Sequence, residues 1–390
     1  MKAWDVSPKD IDRIAIGAGI LGTGGGGSSY LGQLKAKAQL AAGMTIKVVL
    51  PEDLPDDATV LPLGGIGAPT VSIERIDEGH EGIRLIEAIE AVTGRRIDAL
   101  VADEIGGANG IAPMLPAAQL GLPVVDADGM GRAFPETQMP SFFVGGQNTA
   151  PSALTDVHGN VLVVTDARSP EMLERMMRPA AIAMGCSALM STAPMSGAFL
   201  KMHGIRHSIS LAHRLGDAVL SARSAKTDPV DAICAEGRGV CLMRGKIVDA
   251  ERRITNGFTR GMLTVSGLDE DRGRVVEIDL QNEFIVAREN GREVATVPDL
   301  ICVVDSEDGT PVSTEELKYG IRVATLCLPA PKLLRTESAL AVMGPRAFGY
   351  DLDFTPFAQP YDPAPAESYA MNPASAGTNC PEEDTRNGTT

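Results

Sequence analysis

Apolar residues at Ile11, Ile14, Ala15, Ala18 and Leu21 recur at the spacing of one helix face. Ser7-Pro8-Lys9-Asp10 ahead of them supplies a cap, a first-turn proline and an acid. The pattern predicts a helix over about 8–21. "TIKVVL" (45–50) and "ATVLPLGG" (58–65) are short apolar runs expected to form buried strands. "EGIRLIEAIEAVTG" (81–94) is an amphipathic helix, with Glu87 and Glu90 set among apolar positions. "IDALVADEIGG" (97–107) and "LPVVDADGMG" (122–131) are strands that end in acid-and-glycine turns, with a proline-interrupted helix between them. "VLVVTD" (161–166) then gives way to a second Ser-Pro capped helix, and 204–222 is helical too. Strands alternating with helices predict a layered α/β domain over 1–225.

From about residue 236 the pattern changes to short strands separated by Gly, Asn and Asp, including the Asn-Gly hairpin signal in "ARENGREV". This predicts a β-rich domain over 226–360, shaped as a small barrel or sandwich. The Pro/Ala/Ser/Asn-rich stretch 361–390 reads as a disordered tail.

Composition narrows the function classes. A chain of 390 residues with 44% hydrophobic content supports two domains with sizeable cores. A net charge of −16 argues against a nucleic-acid partner and against binding to an anionic membrane surface. No apolar run reaches the roughly eighteen residues of a membrane span. Cysteines at 186, 234, 241, 302, 327 and 380 show no CxxC and fit reduced thiols in a cytoplasmic protein.

The stretch Gly17–Gly32 holds eight glycines in sixteen residues. Gly17, Gly19 and Gly22 satisfy G-x-G-x-x-G, but they fall at the end of a predicted helix rather than after a strand, and no nucleotide cofactor is expected. The loop proper is Gly22, Thr23, Gly24, Gly25, Gly26 and Gly27, followed by a helix from about Tyr30. Such a run costs backbone entropy, and it is expected either to present bare N–H groups to an anionic or dipolar ligand or to let backbone pack on backbone. The ligand cradle is favoured.

Asp103-Glu104 and Asp126-Ala-Asp128 stand at the C-terminal ends of predicted strands, the edge where α/β sheets bind ligands. Glu104, Asp126 and Asp128 can serve as general bases, metal ligands or acceptors for ring N–H groups; helix capping and turn formation are the bland alternative. Arg132 and Glu136 either complete a pocket or pair with each other. His203, His207 and His213 lack the spacing of a metalloprotease. Acids at the strand ends are the better place for a divalent ion such as zinc. Cys186 in "MGCSALM" reads as a small core hydrophobe. Arg260, Gln281, Asn282 and Glu283 are polar groups on predicted strands that could reach across to the first domain, and "GPRAFGYD" (344–351) is expected to dock the end of the chain.

Taken together, "ILGTGGGG", "DEIGGANG" (103–110), "GLPVVDADGMGRAFPETQM" (121–139), "FTRG" (258–261), "QNEF" (281–284), "VPDLICVVDSEDG" (297–309) and "GPRAFGYD" resemble the S-methyl-thiohydantoin desulfurase-like family over roughly residues 8–355. The resemblance implies a three-layer α/β N-terminal domain and a β-rich C-terminal domain, with a boundary near 170. It implies a hydrolase in which water replaces sulfur on a hydantoin-like ring, or a non-catalytic accessory subunit beside a hydantoinase-type partner. It leaves room for a homo-oligomer. Under it Asp126, Asp128 or Glu104 would activate water or hold a metal, and Arg132 would clamp a substrate carboxylate. The glycine loop, Asn109, Glu136 and Gln138 would bind the substrate.

Overall fold

The structure is a computed structural model that describes residues 3–68, 71, 74–75, 77–255, 258–359 and 361–365. Asn256 and Gly257 of the "NGFTRG" motif and residues 366–390 of the expected tail lie outside the described residues.

Seventeen strands lie among the described residues: β1 (Ala3–Asp5), β2 (Lys47–Val49), β3 (Thr59–Gly67), β4 (Ala99–Ala102), β5 (Pro123–Asp128), β6 (Ser152–Thr155), β7 (Val161–Val164), β8 (Ser187–Ser191), β9 (Met195–Ser196) and β10 (Ile205–Arg206) form one sheet. β11 (Val240–Thr255), β12 (Phe258–Gly267), β13 (Val275–Gln281), β14 (Glu283–Glu289), β15 (Arg292–Thr296), β16 (Leu300–Asp305) and β17 (Arg322–Leu328) form the other. The first sheet runs β1-β2-β5-β4-β3-β8-β6-β7, parallel from β2 through β3 and antiparallel elsewhere. β9 adds to β3 and β10 to β5. The second sheet is antiparallel throughout, in the order β15-β14-β13-β12-β11-β17-β16. It curls, and Val297 just before β16 donates to Ile285 of β14.

Period-two alternation sorts the parallel strands. Leu61, Leu63, Leu100 and Val124 point to one face, where Ile11, Ile14, Leu85 and Ala212 meet them. Val60, Val101, Val125 and Ala127 point to the other, against Phe142 and Leu200. Helices therefore cover both faces. The first core cluster continues without a break into Val304, Ala324 and Leu326 of the second sheet. Helix Pro8–Leu21 lies between the two sheets and shares core contacts with both.

That helix starts as its sequence demands: Asp10 N–H donates to Ser7 Oγ at 3.3 Å and Ser7 N–H to Asp10 Oδ2 at 2.9 Å, a reciprocal cap. Its glycines serve packing. A Cβ on Gly17 would stand 1.8 Å from Ala212 O, and one on Gly216 would stand 1.9 Å from Arg13 O, so helices Pro8–Leu21 and Ser208–Ala225 cross backbone to backbone. The Asn-Gly signal also holds, with Asn290 and Gly291 both at positive φ between β14 and β15. Among the described residues no helix is long and apolar enough to cross a membrane.

The chain's end docks earlier than its composition suggests. Arg214 donates to Ala364 O at 2.6 Å and to the Tyr361 hydroxyl at 3.3 Å, so residues 361–365 are held. The "GPRAFGYD" segment docks too, its Phe348 ring stacked on Phe134 at 6.4 Å.

Candidate active site

A cavity of about 250 Å³ opens beyond the C-terminal ends of β3 and β4. The end of the glycine loop, helix Ser29–Ala41, the segment Phe134–Thr137 and the start of β14 wall it in. Its volume is at the small end for ligand sites.

The glycine loop is two structures in succession. From Gly22 to Gly25 it is folded on itself and on its neighbours: Gly22 N–H donates to Ala18 O, Thr23 N–H to Ile20 O and Gly25 N–H to Gly22 O. Gly24 O accepts from Thr314 N–H, and a Cβ at Gly24 would sit 2.7 Å from the Phe284 ring. A Cβ at Gly25 would sit 2.0 Å from Glu283 Oε1. The expectation that the whole run cradles a ligand is therefore corrected: Gly22, Thr23, Gly24 and Gly25 are backbone packing, and none of them reaches the cavity wall. Gly26 and Gly27 do line it. Both have positive φ, and their carbonyls accept from Ala108 N–H. Their own N–H groups bond to no described residue.

Opposite these amides stand Asp103 and Glu104, consecutive residues just past β4. Glu104 Oε1 accepts from Asn109 Nδ2, and Oε2 accepts from Phe134 N–H at 3.1 Å. Asn109 Oδ1 in turn accepts from Gly65 N–H at 2.7 Å, so one amide side chain ties β3 to the acid. Burial pushes the Glu104 carboxyl up to about 8, against a smaller pull downward from those two donors. Asp103 is pushed up to about 7 by burial and by the charge of Asp128, and its Oδ1 has no hydrogen-bond partner among the described residues. Glu283 enters from β14. Burial and the neighbouring Glu104 raise it well above the usual carboxylate range, and its Oε2 is also unpartnered. Three carboxyl groups from two sheets thus face one cavity, two of them, Asp103 and Glu104, with protons to give or take near neutrality.

The remaining expected residues divide. Asn109 and Glu136 line the cavity. Gln138 donates to Glu136 but is not on the wall, while Gln281 Nε2 reaches Glu136 Oε1 at 3.5 Å from the second sheet. Asp128 stands behind Asp103, with Oδ2 accepting from Ile105, Met130 and Gly131 N–H at 2.9, 3.0 and 2.7 Å. That is turn formation. Burial still holds it at about 6.

Asp126 lies off the cavity altogether, where it caps helix Ser208–Ala225 in place of its N-cap residue by accepting from Ser210 N–H at 3.0 Å and Ser210 Oγ at 2.6 Å. Arg132 is fully buried and off the cavity wall, with four of its five N–H groups given to Thr23 Oγ1, Phe284 O, Asp299 O and Ala133 O, so it does not reach a ligand in the cavity. The physical reason is common to these corrections: an acid or guanidinium at a tight turn satisfies backbone groups first.

The histidines are apart from the site. His213 Nε2 meets Asp10 Oδ1 at 2.9 Å, His207 sits between Glu52 and Asp126, and His203 packs on Phe199. Among the described residues no group of three or more His, Cys, Asp or Glu side chains is arranged to hold a metal ion. Glu104 and Asp128 already accept from N–H donors. Cys186 is half-buried, outside the cavity, at φ +65.

Asp103, beside Glu104, and Arg178 also line the cavity, although neither stands out as a site residue in the sequence, and of the second-sheet polar groups Asn282 and Glu283 are on the wall.

The S-Me-THD-like N-terminal domain matches residues 9–166, and the S-Me-THD-like C-terminal domain matches residues 168–357. The chain belongs to the S-Me-THD-like family. The motif resemblance to the S-methyl-thiohydantoin desulfurase-like family is thereby shown. In this family member the match to the C-terminal domain supplies both Arg178 and Glu283 to a cavity whose floor comes from the N-terminal one. The chain is similar in fold to a crystal structure of a protein from Chromobacterium violaceum, at 24% identity and a TM-score of 0.75, over 91% of this chain and all of that one. No curated protein matches the chain.

Proposed function

We propose that this chain is a hydrolase of thiohydantoin-like rings that exchanges a ring-bound sulfur substituent for oxygen. The observation that carries the reading is the pair Asp103 and Glu104, adjacent, buried, and held at about 7 and about 8 at the rim of one cavity. Two acids whose environments set them apart are suited to divide base and acid work.

In this reading Asp103, the more acidic of the two, takes a proton from water as its oxygen bonds to the ring carbon that carries sulfur. Glu104 gives its proton to the adjacent ring nitrogen. The resulting tetrahedral centre then expels sulfur: the C–S bond breaks, the carbonyl forms, and the thiolate leaves with the proton that Asp103 took. The hydroxyl of that centre gives up its remaining proton as the carbonyl forms, and this proton returns to the ionised Glu104, so both acids end as they began. Glu283, raised well above the usual carboxylate range and unpartnered at Oε2, hydrogen-bonds a ring heteroatom. The N–H groups of Gly26 and Gly27 face charge that develops on the ring oxygen. Water, ring and acids balance without a further reagent.

The test is thiol release from an S-methyl-thiohydantoin by purified protein. Glu104→Gln and Asp103→Asn should each lower kcat by about a hundredfold or more. Wild-type rates in both variants overturn the assignment. Release that requires an added hydantoinase-type protein replaces it with the accessory-subunit reading.

A further inference from the structure

We propose that helix Ser29–Ala41 is a lid on the cavity and that the ion pair between Lys35 and Asp77 is its latch. Both residues line the cavity, yet their side chains are 31% and 42% exposed, so the pair stands where the cavity meets solvent. The two come from separate walls. Lys35 lies on the helix, and Asp77 precedes the turn at Glu78 and Gly79, whose N–H groups donate to Glu81 at 2.7 and 2.9 Å. Nearby charges are already engaged: Glu78 pairs with Arg84, and Arg178, the other cation on the wall, pairs with Glu174.

The cavity needs such an opening. Asp103 and Glu104 are only 3% and 6% exposed, and Thr155, also on the wall, is fully buried. Some wall has to give before a ligand reaches them. Helix Ser29–Ala41 buries only Ala36 of its thirteen residues, where helix Glu81–Thr93 buries five. Few buried contacts mean a low local cost of opening.

The remaining ties of the helix lie on its other flank. Gln33 and Lys37 both bond Asp12 of helix Pro8–Leu21, and Gly32 faces Ile111. Those contacts are the hinge side, and Lys35 is the tie across to Asp77. A glycine stands at each end, Gly27 at φ +76° and Gly43 at φ +85°, and a Cβ at Gly43 would meet nothing, so packing does not explain it. An exposed ion pair contributes little to stability, which suits a contact that must break and re-form.

The experiment introduces Ala188→Cys, at a buried wall position with no part in the reaction, and follows its alkylation by iodoacetamide with peptide mass spectrometry. The reagent is neutral and the assay needs no turnover, so the latch is tested apart from the ring-hydrolase reading. Lys35→Met should speed the labelling by about two- to fivefold, the factor an exposed ion pair contributes. Raising NaCl to about 1 M should do the same while Lys35 is in place and should change nothing in the Lys35→Met variant. The swap Lys35→Asp with Asp77→Lys should restore slow labelling. Labelling that responds to neither the variant nor salt overturns the proposal, and so does an acceleration that the swap leaves in place. If Lys35→Met melts early, the salt arm on the unaltered pair decides alone. Absent thiol release with labelling as stated overturns only the hydrolase reading.

Discussion

Arg132 Nη2 donates to Thr23 Oγ1 at 2.7 Å and to Phe284 O at 2.9 Å. One buried guanidinium thus joins the turn after β5 to the glycine loop and to the strand that carries Glu283. Burial lowers its own value to about 10, still far above neutrality, so it stays charged and bonded. Arg132→Met should cost about 2–4 kcal/mol, since a charged donor and its buried acceptors are lost together. Urea denaturation measures this, and a cost under about half a kcal/mol would mean the bracket is ornamental.

Gly26 and Gly27 separate steric need from backbone strain. Both have φ near +75°, but a Cβ at Gly26 meets Gly106 O at 2.3 Å while one at Gly27 has only Ala108 Cβ, at 3.7 Å. Gly27→Ala should cost about 1–2 kcal/mol from the left-handed conformation alone. Gly26→Ala should cost clearly more, or prevent folding. Thermal melts of the pair decide it, and equal shifts would show that the loop yields where it is drawn tight.

Stability should fall as pH rises. Asp103, Glu104 and Asp128 are raised to about 7, 8 and 6, so between pH 4 and 8 the folded chain holds protons that the unfolded chain has released. Unfolding free energy at pH 8.5 should lie at least about 2 kcal/mol below that at pH 5.5. Asp10, lowered to about 2, acts in the opposite sense but only below about pH 4, outside this window. Glu104→Gln should flatten the slope. A wild-type stability that is level across the range rules out the buried-acid account.

Asn109 lines the cavity and also donates to Glu104. Its donated hydrogen bond favours the ionised acid. Asn109→Ala should therefore move the alkaline limb of the pH–rate profile upward by about half to one pH unit. A limb that stays in place would detach Asn109 from the proton on Glu104, whatever happens to the rate.

Asp126→Asn should weaken the protein without touching chemistry. It caps helix Ser208–Ala225 through Ser210, away from the cavity. The expected cost is about 1–2 kcal/mol, with kcat/KM within about threefold of wild type. A hundredfold loss of turnover in a fully folded variant would return Asp126 to the reaction.

The elements that were legible in the sequence are those whose signals are local. Ser7-Pro8-Lys9-Asp10 forms the cap it spells, Asn290-Gly291 makes the hairpin, and the apolar alternation of β3 and β4 finds both faces of the sheet. Helix Pro229–Gly237, capped by Asp228, is a brief run of chain between the helical pattern ending at 222 and the strand pattern from about 236, too short to show a clear apolar face. Glu104, Asn109, Glu136, Gly26 and Gly27 were readable as cavity residues from position after a strand or before a helix. Asp126, Asp128 and Arg132 carry the same local signature yet face inward, because which side of a turn a polar group serves depends on partners such as Ser210 and Thr23 that are remote in sequence. Arg178 has no local signal at all: an arginine four residues after a glutamate on a helix is ordinary until Phe258 and Pro135 close over it.

β8 is hydrogen-bonded to β3 on one side and to β6 on the other. The hairpin of β6 and β7 therefore joins the hydrogen-bond ladder of the parallel strands through a segment translated later. A ribosome that has finished residue 166 has produced β1 to β7 but not β8, β9 and β10, and so not the strand that pairs the hairpin with β3. A fragment ending there would leave the β3 and β6 edges that β8 covers as two raw, adhesive borders.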